Sequence, residues 1–183
     1  MIQLKFFGLG GQGVVTAAKM LSYAVSLCEN KYAITVPSYG HERRGAPVFT
    51  SIIVDTSPVL LNCFVYEPDI VLVMDDAIMD KGIDASQGKK KTSILVLNSG
   101  DPGKIAAYKK LNFSKMYFVD GTQIALKNIG RGIPNGSMLG ALAGTGIVKI
   151  DSIESAIMDH FGPKAGKMNG AAAREAYENI KSA

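Results

Sequence analysis

Apolar and polar positions along the chain alternate between two periods, and the switches mark its elements. Ile2 to Phe7 reads as a strand and runs into Gly8-Leu9-Gly10-Gly11-Gln12-Gly13. From about Gln12 to Glu29 the period lengthens. Val14, Ala18, Leu21, Val25 and Cys28 recur at spacings of three and four, with Lys19, Ser22, Ser26 and Glu29 opposite, which predicts an amphipathic helix. Tyr32 to Val36 predicts a short strand ended by Pro37, and Ser38 to Pro47 a long polar loop. Val48 to Asp55 is rich in β-branched residues and reads as a strand. Asp69 to Asp75 is an apolar run bounded by acids, the signature of a central strand covered on both faces. Ser93–Leu97 and Met116–Val119 repeat that pattern. The last third turns helical: Thr122–Ile129 ended by Gly130, a small-residue helix over Ser137–Val148, a helix opened by an Asp151/Glu154 capping pair, and a C-terminal helix from near Asn169. In the last two, Ile153, Ala156, Ile157 and Phe161, then Ala173, Ala176, Tyr177 and Ile180, point inward. Repeated β–α alternation predicts an α/β fold, an open, mostly parallel Rossmann-like sheet with helices on both faces.

Length and composition narrow the class. A chain of 183 residues, 47% hydrophobic and 20% charged, fits a single domain over residues 1–183 with a real core. The net charge of +4 is spread out apart from Lys89-Lys90-Lys91, read as a solvated loop. No basic stripe with interleaved aromatics appears, so a nucleic-acid partner is not expected. No apolar run reaches membrane-spanning length and no signal-peptide pattern opens the chain, so no membrane is expected and the cytoplasm is the expected location. Cys28 and Cys63 are far apart and form no C-x-x-C pair. Neither a zinc site nor an iron–sulfur cluster is expected from them, and both are read as buried thiols.

Two stretches carry candidate chemistry. Gly8, Gly10 and Gly13 satisfy G-x-G-x-x-G between a strand and a helix, where backbone amides at a helix N-terminus suit a ligand's phosphates. Dinucleotide binding further requires an acid after the second strand, and Pro37-Ser38 stands there instead. The glycines serve either a phosphate-bearing ligand or close helix packing. In the loop, Glu42, Arg43 and Arg44 suit either anion recognition or subunit contacts. Asp75-Asp76 is read as a helix cap, and no nucleophile–base constellation stands out, so no catalytic or metal-ligating residue is assigned.

Taken together, Gly8–Gly13 with Ala17 and Ala18, Ser38–Val48 with its Glu42-Arg43-Arg44-Gly45-Ala46 core, and Ile133-Pro134-Asn135-Gly136-Ser137-Met138-Leu139-Gly140-Ala141 resemble the gamma subunit of 2-oxoacid:ferredoxin oxidoreductases. Pro68–Val71 and Asn169–Arg174 also fit, so the resemblance spans nearly the whole chain. It implies a subunit of an oxidoreductase complex, inactive alone, that converts a 2-oxoacid and coenzyme A into acyl-CoA, CO₂ and reduced ferredoxin. Thiamine diphosphate with Mg and the iron–sulfur clusters would sit on thiamine-binding and ferredoxin-like partners. The Arg43-Arg44-Gly45-Ala46-Pro47 version looks closer to pyruvate- or branched-chain-type members than to the 2-oxoglutarate type. On this reading Gly10, Gly11, Gln12 and Gly13, with Arg44 and Asn135 nearby, are candidate contacts for coenzyme A. The alternatives are a stand-alone nucleotide-binding α/β enzyme and a scaffold subunit that binds no ligand.

Overall fold

The computed structural model describes residues 1–38 and 45–183. Among the described residues seven strands form one sheet: β1 (Ile2–Leu9), β2 (Tyr32–Ser38), β3 (Pro47–Asp55), β4 (Ile70–Val73), β5 (Ile94–Asn98), β6 (Lys115–Val119) and β7 (Lys181–Ser182). Their order is β2-β3-β1-β4-β5-β6-β7. The central four, β1, β4, β5 and β6, are parallel; β2, β3 and β7 pair antiparallel at the edges. The expected α/β sheet is therefore present with a parallel centre. Its first unit departs from a Rossmann unit, because the strand after the first helix lies on the far edge, separated from β1 by β3. Pro37 lies inside β2 rather than ending it, which an edge strand tolerates because one side of its backbone needs no partner.

Alternation along the central strands sends side chains to two cores. Leu4, Phe6, Ile52, Leu72 and Val96 face α1 (Val14–Tyr23), α4 (Asn135–Ala143) and α5 (Ile150–Asn179). Phe7, Val71, Val73, Leu95 and Leu97 face Tyr108 of α2 (Pro102–Lys109) and Ile78 of a 3₁₀ turn over Asp76–Lys81. The third α-helix in chain order is α3 (Gly121–Ile129), closed by Gly130 at φ 74°. All nine residues of α4 are buried, so it is the hydrophobic centre of its layer. Among the described residues no helix is long and apolar enough to cross a membrane.

Several local readings are corrected. After Tyr23 the first helix widens into a π-helical segment, Ala24–Cys28. The wider turn rotates Cys28 off the apolar stripe, and both Cys28 and Cys63 are exposed. The lysine run is only partly solvated: Lys90 pairs with Asp69 at 2.7 Å, and Lys89 lies over the Phe113 ring. Asp151 and Glu154 do not cap α5. Both bind Arg174, from the far half of the same helix, which breaks at Gly162 (φ 72°, ψ 178°) ahead of Pro163. The C-terminal helix thus begins at that break, earlier than Asn169.

The start of α5 is held instead by Glu29, whose Oε1 accepts the Lys149 N–H at 2.7 Å while Oε2 accepts from Lys31 Nζ. Burial pushes the Glu29 carboxyl up, but the Lys149 amide, Lys31 and Ser152 together hold it below the usual glutamate range. A depressed folded-state pKa stabilises the protein above the ordinary glutamate value, and that contribution is lost as pH falls through the folded value. Glu29→Gln is expected to cost about 1 kcal/mol at neutral pH, the scale of a lost charged cap. The gap to the parent protein should close on acidification below pH about 4. Urea melts at stepped pH check this; a gap constant with pH would show that the charge on Glu29 does not matter.

Candidate functional site

The carboxyl ends of β1, β4, β5 and β6 form one rim. The turn after β1 is fixed from within. Gln12 N–H closes onto the Leu9 carbonyl at 3.1 Å, and Leu9 N–H donates to Gln12 Oε1 at 2.7 Å. Gln12 Nε2 then donates to Asp75 Oδ2, which ties the turn to the end of β4. Gly8 must be glycine because a Cβ there would lie 2.7 Å from Val14 Cγ2 and 3.2 Å from Met74 Cβ. Gly11 and Gly13 have φ of 99° and 76°, left-handed values that let the chain enter α1.

The second candidate stretch meets this turn. Gly10 N–H donates to the Ala46 carbonyl at 2.8 Å, and Gly45 N–H donates to the Gly10 carbonyl at 3.2 Å. The end of the arginine loop is therefore pinned to the glycine turn. Arg44, with Tyr39–Arg43, lies outside the described residues.

The third stretch arrives from α4. A Cβ on Gly13 would lie 2.6 Å from Asn135 Nδ2, so the two residues are in direct contact. Asn135 is only 5% exposed, and its Oδ1 accepts the Gly136 N–H at 2.8 Å. Five of the six candidate residues, Gly10, Gly11, Gln12, Gly13 and Asn135, thus come together, although Asn135 is far from the others in sequence. Several donors in this set are already committed. Gly10 N–H holds the Ala46 carbonyl and the Gln12 amide and side chain serve the turn, which leaves the N–H groups of Gly11 and Gly13, the first amides of α1 and Asn135 Nδ2 without a hydrogen-bond partner among the described residues.

Farther along the rim, Asp75, Asp76, Asn98, Ser99, Asp101 and Asp120 border a cleft of ≈ 410 Å³. Its carboxylates are spent on local structure. Asp75 accepts Ala77 N–H as cap of the 3₁₀ turn, Asp101 caps α2 and Asp120 caps α3. Asp76 accepts from Ser99 Oγ. Asn98 is buried and bridges Met74 O, Thr122 Oγ1 and Thr122 N–H. The cap assigned to Asp75-Asp76 from sequence holds for Asp75. Among the described residues no group of His, Cys, Asp and Glu side chains is arranged to hold a metal ion. Tyr108, beneath this cleft, donates to the Asp76 carbonyl at 3.2 Å; burial first, then the Asp76 and Asp75 carboxylates, push its hydroxyl well above the usual tyrosine range. It stays a neutral donor. Nothing in the residues around Gln12 or Asp75 marks their contact, which joins the turns that follow two different strands.

A protein-family model described as pyruvate ferredoxin/flavodoxin oxidoreductase matches residues 3–179. The chain is 44% identical over 184 residues to the pyruvate/ketoisovalerate oxidoreductases common subunit gamma of Pyrococcus furiosus, covering 99% of this chain and 98% of that one. It is 44% identical over 185 residues to the pyruvate synthase subunit PorC of Methanothermobacter thermautotrophicus, covering 99% and 97%. Among solved structures, pyruvate oxidoreductase subunit PORC of Thermotoga maritima is similar with a TM-score of 0.85 at 34% identity, over 100% of this chain and 98% of that one. A 2-oxoglutarate:ferredoxin oxidoreductase from Magnetococcus marinus, 16% identical, shares the fold alone, with a TM-score of 0.76 over 32% of its length.

Proposed function

This chain belongs to the pyruvate ferredoxin/flavodoxin oxidoreductase family, and we propose that it is the gamma subunit of a complex that oxidises a 2-oxoacid with coenzyme A to acyl-CoA and CO₂. The two electrons released go to ferredoxin. The observation that carries this reading is likeness from end to end, at 44% identity, to gamma subunits of that class. The relatives' names favour pyruvate or a branched-chain 2-oxoacid as substrate over 2-oxoglutarate. Thiamine diphosphate with Mg supplies the decarboxylation chemistry and iron–sulfur clusters carry the electrons, on thiamine-binding and ferredoxin-like partner subunits in the cytoplasm.

This chain's own contribution is a wall of the coenzyme A side. Gly11 and Gly13 bring backbone amides and the start of α1 to the surface, where the helix dipole favours phosphate oxygens. Asn135 Nδ2 adds a side-chain donor against Gly13. Arg44 is the candidate charged partner from the loop pinned to Gly10. A stand-alone dinucleotide enzyme fits less well, because β2 runs antiparallel on the sheet edge and ends in Pro37-Ser38, where the ribose-binding acid of a dinucleotide site would stand. The ligand-free scaffold is favoured by one observation, the use of Gln12 and Gly10 N–H in contacts to the turn, Asp75 and Ala46.

Anaerobic affinity purification of the chain from its own cells tests the proposal. Larger partners should co-purify, and the eluate should reduce a ferredoxin-like acceptor with pyruvate or 2-oxoisovalerate only when coenzyme A is added. A chain that emerges alone, under conditions that keep known complexes intact, would overturn the assignment.

A further inference from the structure

Beyond Gly13 the surface continues into a pocket of ≈ 540 Å³ built at a corner of α5. Gly162 turns the chain at φ 72°, and Pro163 starts the second half of the helix, where a missing N–H costs nothing. The two halves are locked together, since a Cβ on Gly166 would lie 2.8 Å from Met158 Cα. This corner sets Phe161, Lys164 and Met168 on one wall. The turn from α3 to α4 sets Ile129, Arg131 and Ile133 on the other.

Three features of this pocket point to a ligand. Arg131 and Lys164 are exposed, line the same space, and pair with no carboxylate among the described residues. Among the described residues no carboxylate lines the pocket. Asn135, 5% exposed, borders it with an Nδ2 that has no hydrogen-bond partner among the described residues. The N-termini of α4 and of the second half of α5 also open here, and both dipoles favour an anion. Between the cations, Phe161, Ile133 and Met168 offer an apolar bed, and the volume is that of an ordinary small-molecule site.

We propose that this pocket binds a phosphorylated nucleoside, with the base against Phe161 and Met168 and the phosphate between Arg131 and Lys164. Arginine supplies a planar fork of donors and lysine a point charge, a pair suited to a phosphate monoester. The proposal rests on the reading that Gly13 and Asn135 face a ligand, and places a second part of it around the corner. The same chemistry is carried by the nucleotide end of coenzyme A and by a free nucleotide.

Calorimetric titration of the full chain with adenosine 3′,5′-bisphosphate, coenzyme A, AMP and inorganic phosphate tests this. Arg131→Glu and Lys164→Glu replace exposed side chains and leave the core intact; Lys167→Glu, exposed on the same helix but outside the pocket, controls for net charge. Adenosine bisphosphate should bind, and each pocket variant should weaken it by roughly tenfold or more, the weight of one charge-assisted contact, while Lys167→Glu changes it little. Coenzyme A binding at least as tightly as its nucleotide half identifies the cofactor as the source; AMP binding more tightly identifies a free nucleotide. Absence of nucleotide binding at about 1 mM, or equal weakening by Lys167→Glu, overturns the pocket. Co-purification of partners is indifferent to these variants, so the gamma-subunit reading and the pocket fail separately.

Discussion

Gly140→Ala is expected to destabilise the chain by about 3 kcal/mol or more, the upper range of overpacking in a core. On helix propensity alone the change would stabilise, because glycine inside a helix costs about 1 kcal/mol relative to alanine. Packing reverses the sign. A Cβ on Gly140 would lie 1.8 Å from the Ala173 carbonyl oxygen, 2.5 Å from its carbon and 2.7 Å from its Cα. All three are backbone atoms, so no side-chain rotation relieves the overlap. Only a separation of α4 from α5 does, and that opens the core around Leu139, Leu142 and Ala176. Gly170 is the internal control. It is also a buried glycine in α5, but its Cβ would meet nothing nearer than Glu154 Cγ at 3.9 Å. Gly170→Ala should raise stability by about 0.5–1 kcal/mol. Urea midpoints at unchanged m values check both. Opposite shifts establish backbone contact at Gly140, and parallel shifts would show that α4 and α5 are not so closely seated.

Much of this architecture was legible, and the failures have specific causes. The β1–glycine turn–α1 unit follows from the change of period, and strands β4, β5 and β6 from short apolar runs of the kind a covered central strand carries. The edge placement of β2 was not legible, since alternation looks alike in parallel and antiparallel strands and does not say which neighbour a strand takes. Helix α2 was missed for a different reason. Tyr108 is its one buried residue, so it has no apolar stripe to read. Asp151 and Glu154 imitate a capping pair at the right spacing, yet their partner is Arg174, brought back by the break at Gly162. The spacing was correct and the partner was invisible. Cys28 fell to the π-helical segment, a change of pitch that the stripe continuing to Val25 conceals.

The candidate site divides along the same line. Its three sequence stretches were recognisable as a set, and the structure explains why they belong together in space. Gly10 holds the end of the arginine loop through Ala46 and Gly45, and Gly13 holds Asn135. The sequence did not show that Gln12 is consumed by the turn and Asp75, which removes its side chain from the groups free to meet a ligand. Nor did it show Lys164 and Arg131 lining one pocket, because that depends on a corner whose only sequence trace is Gly162-Pro163.

Gly13→Ala separates the ligand-binding and scaffold readings. Two costs fall on it: alanine at φ 76° carries about 1–2 kcal/mol of backbone strain, and the new methyl would sit 2.6 Å from Asn135 Nδ2 and 3.1 Å from its Cγ. Asn135 is nearly buried, so its amide has little room to withdraw. A stability loss of about 2 kcal/mol or more is expected. Adding Asn135→Gly should return the steric part and leave the backbone part, so the two substitutions are non-additive by about 1 kcal/mol. The kinetic outcome is the decisive one. If Gly13 and Asn135 line the coenzyme A side, the assembled Gly13→Ala enzyme should show a coenzyme A KM raised about tenfold with the 2-oxoacid KM unchanged. The double variant should recover stability without recovering that KM, because it restores space but not the donor that Asn135 supplied. Should the coenzyme A KM stay unchanged in a complex that assembles normally, the glycine turn is packing alone, and this chain's part in the reaction is to hold its partners.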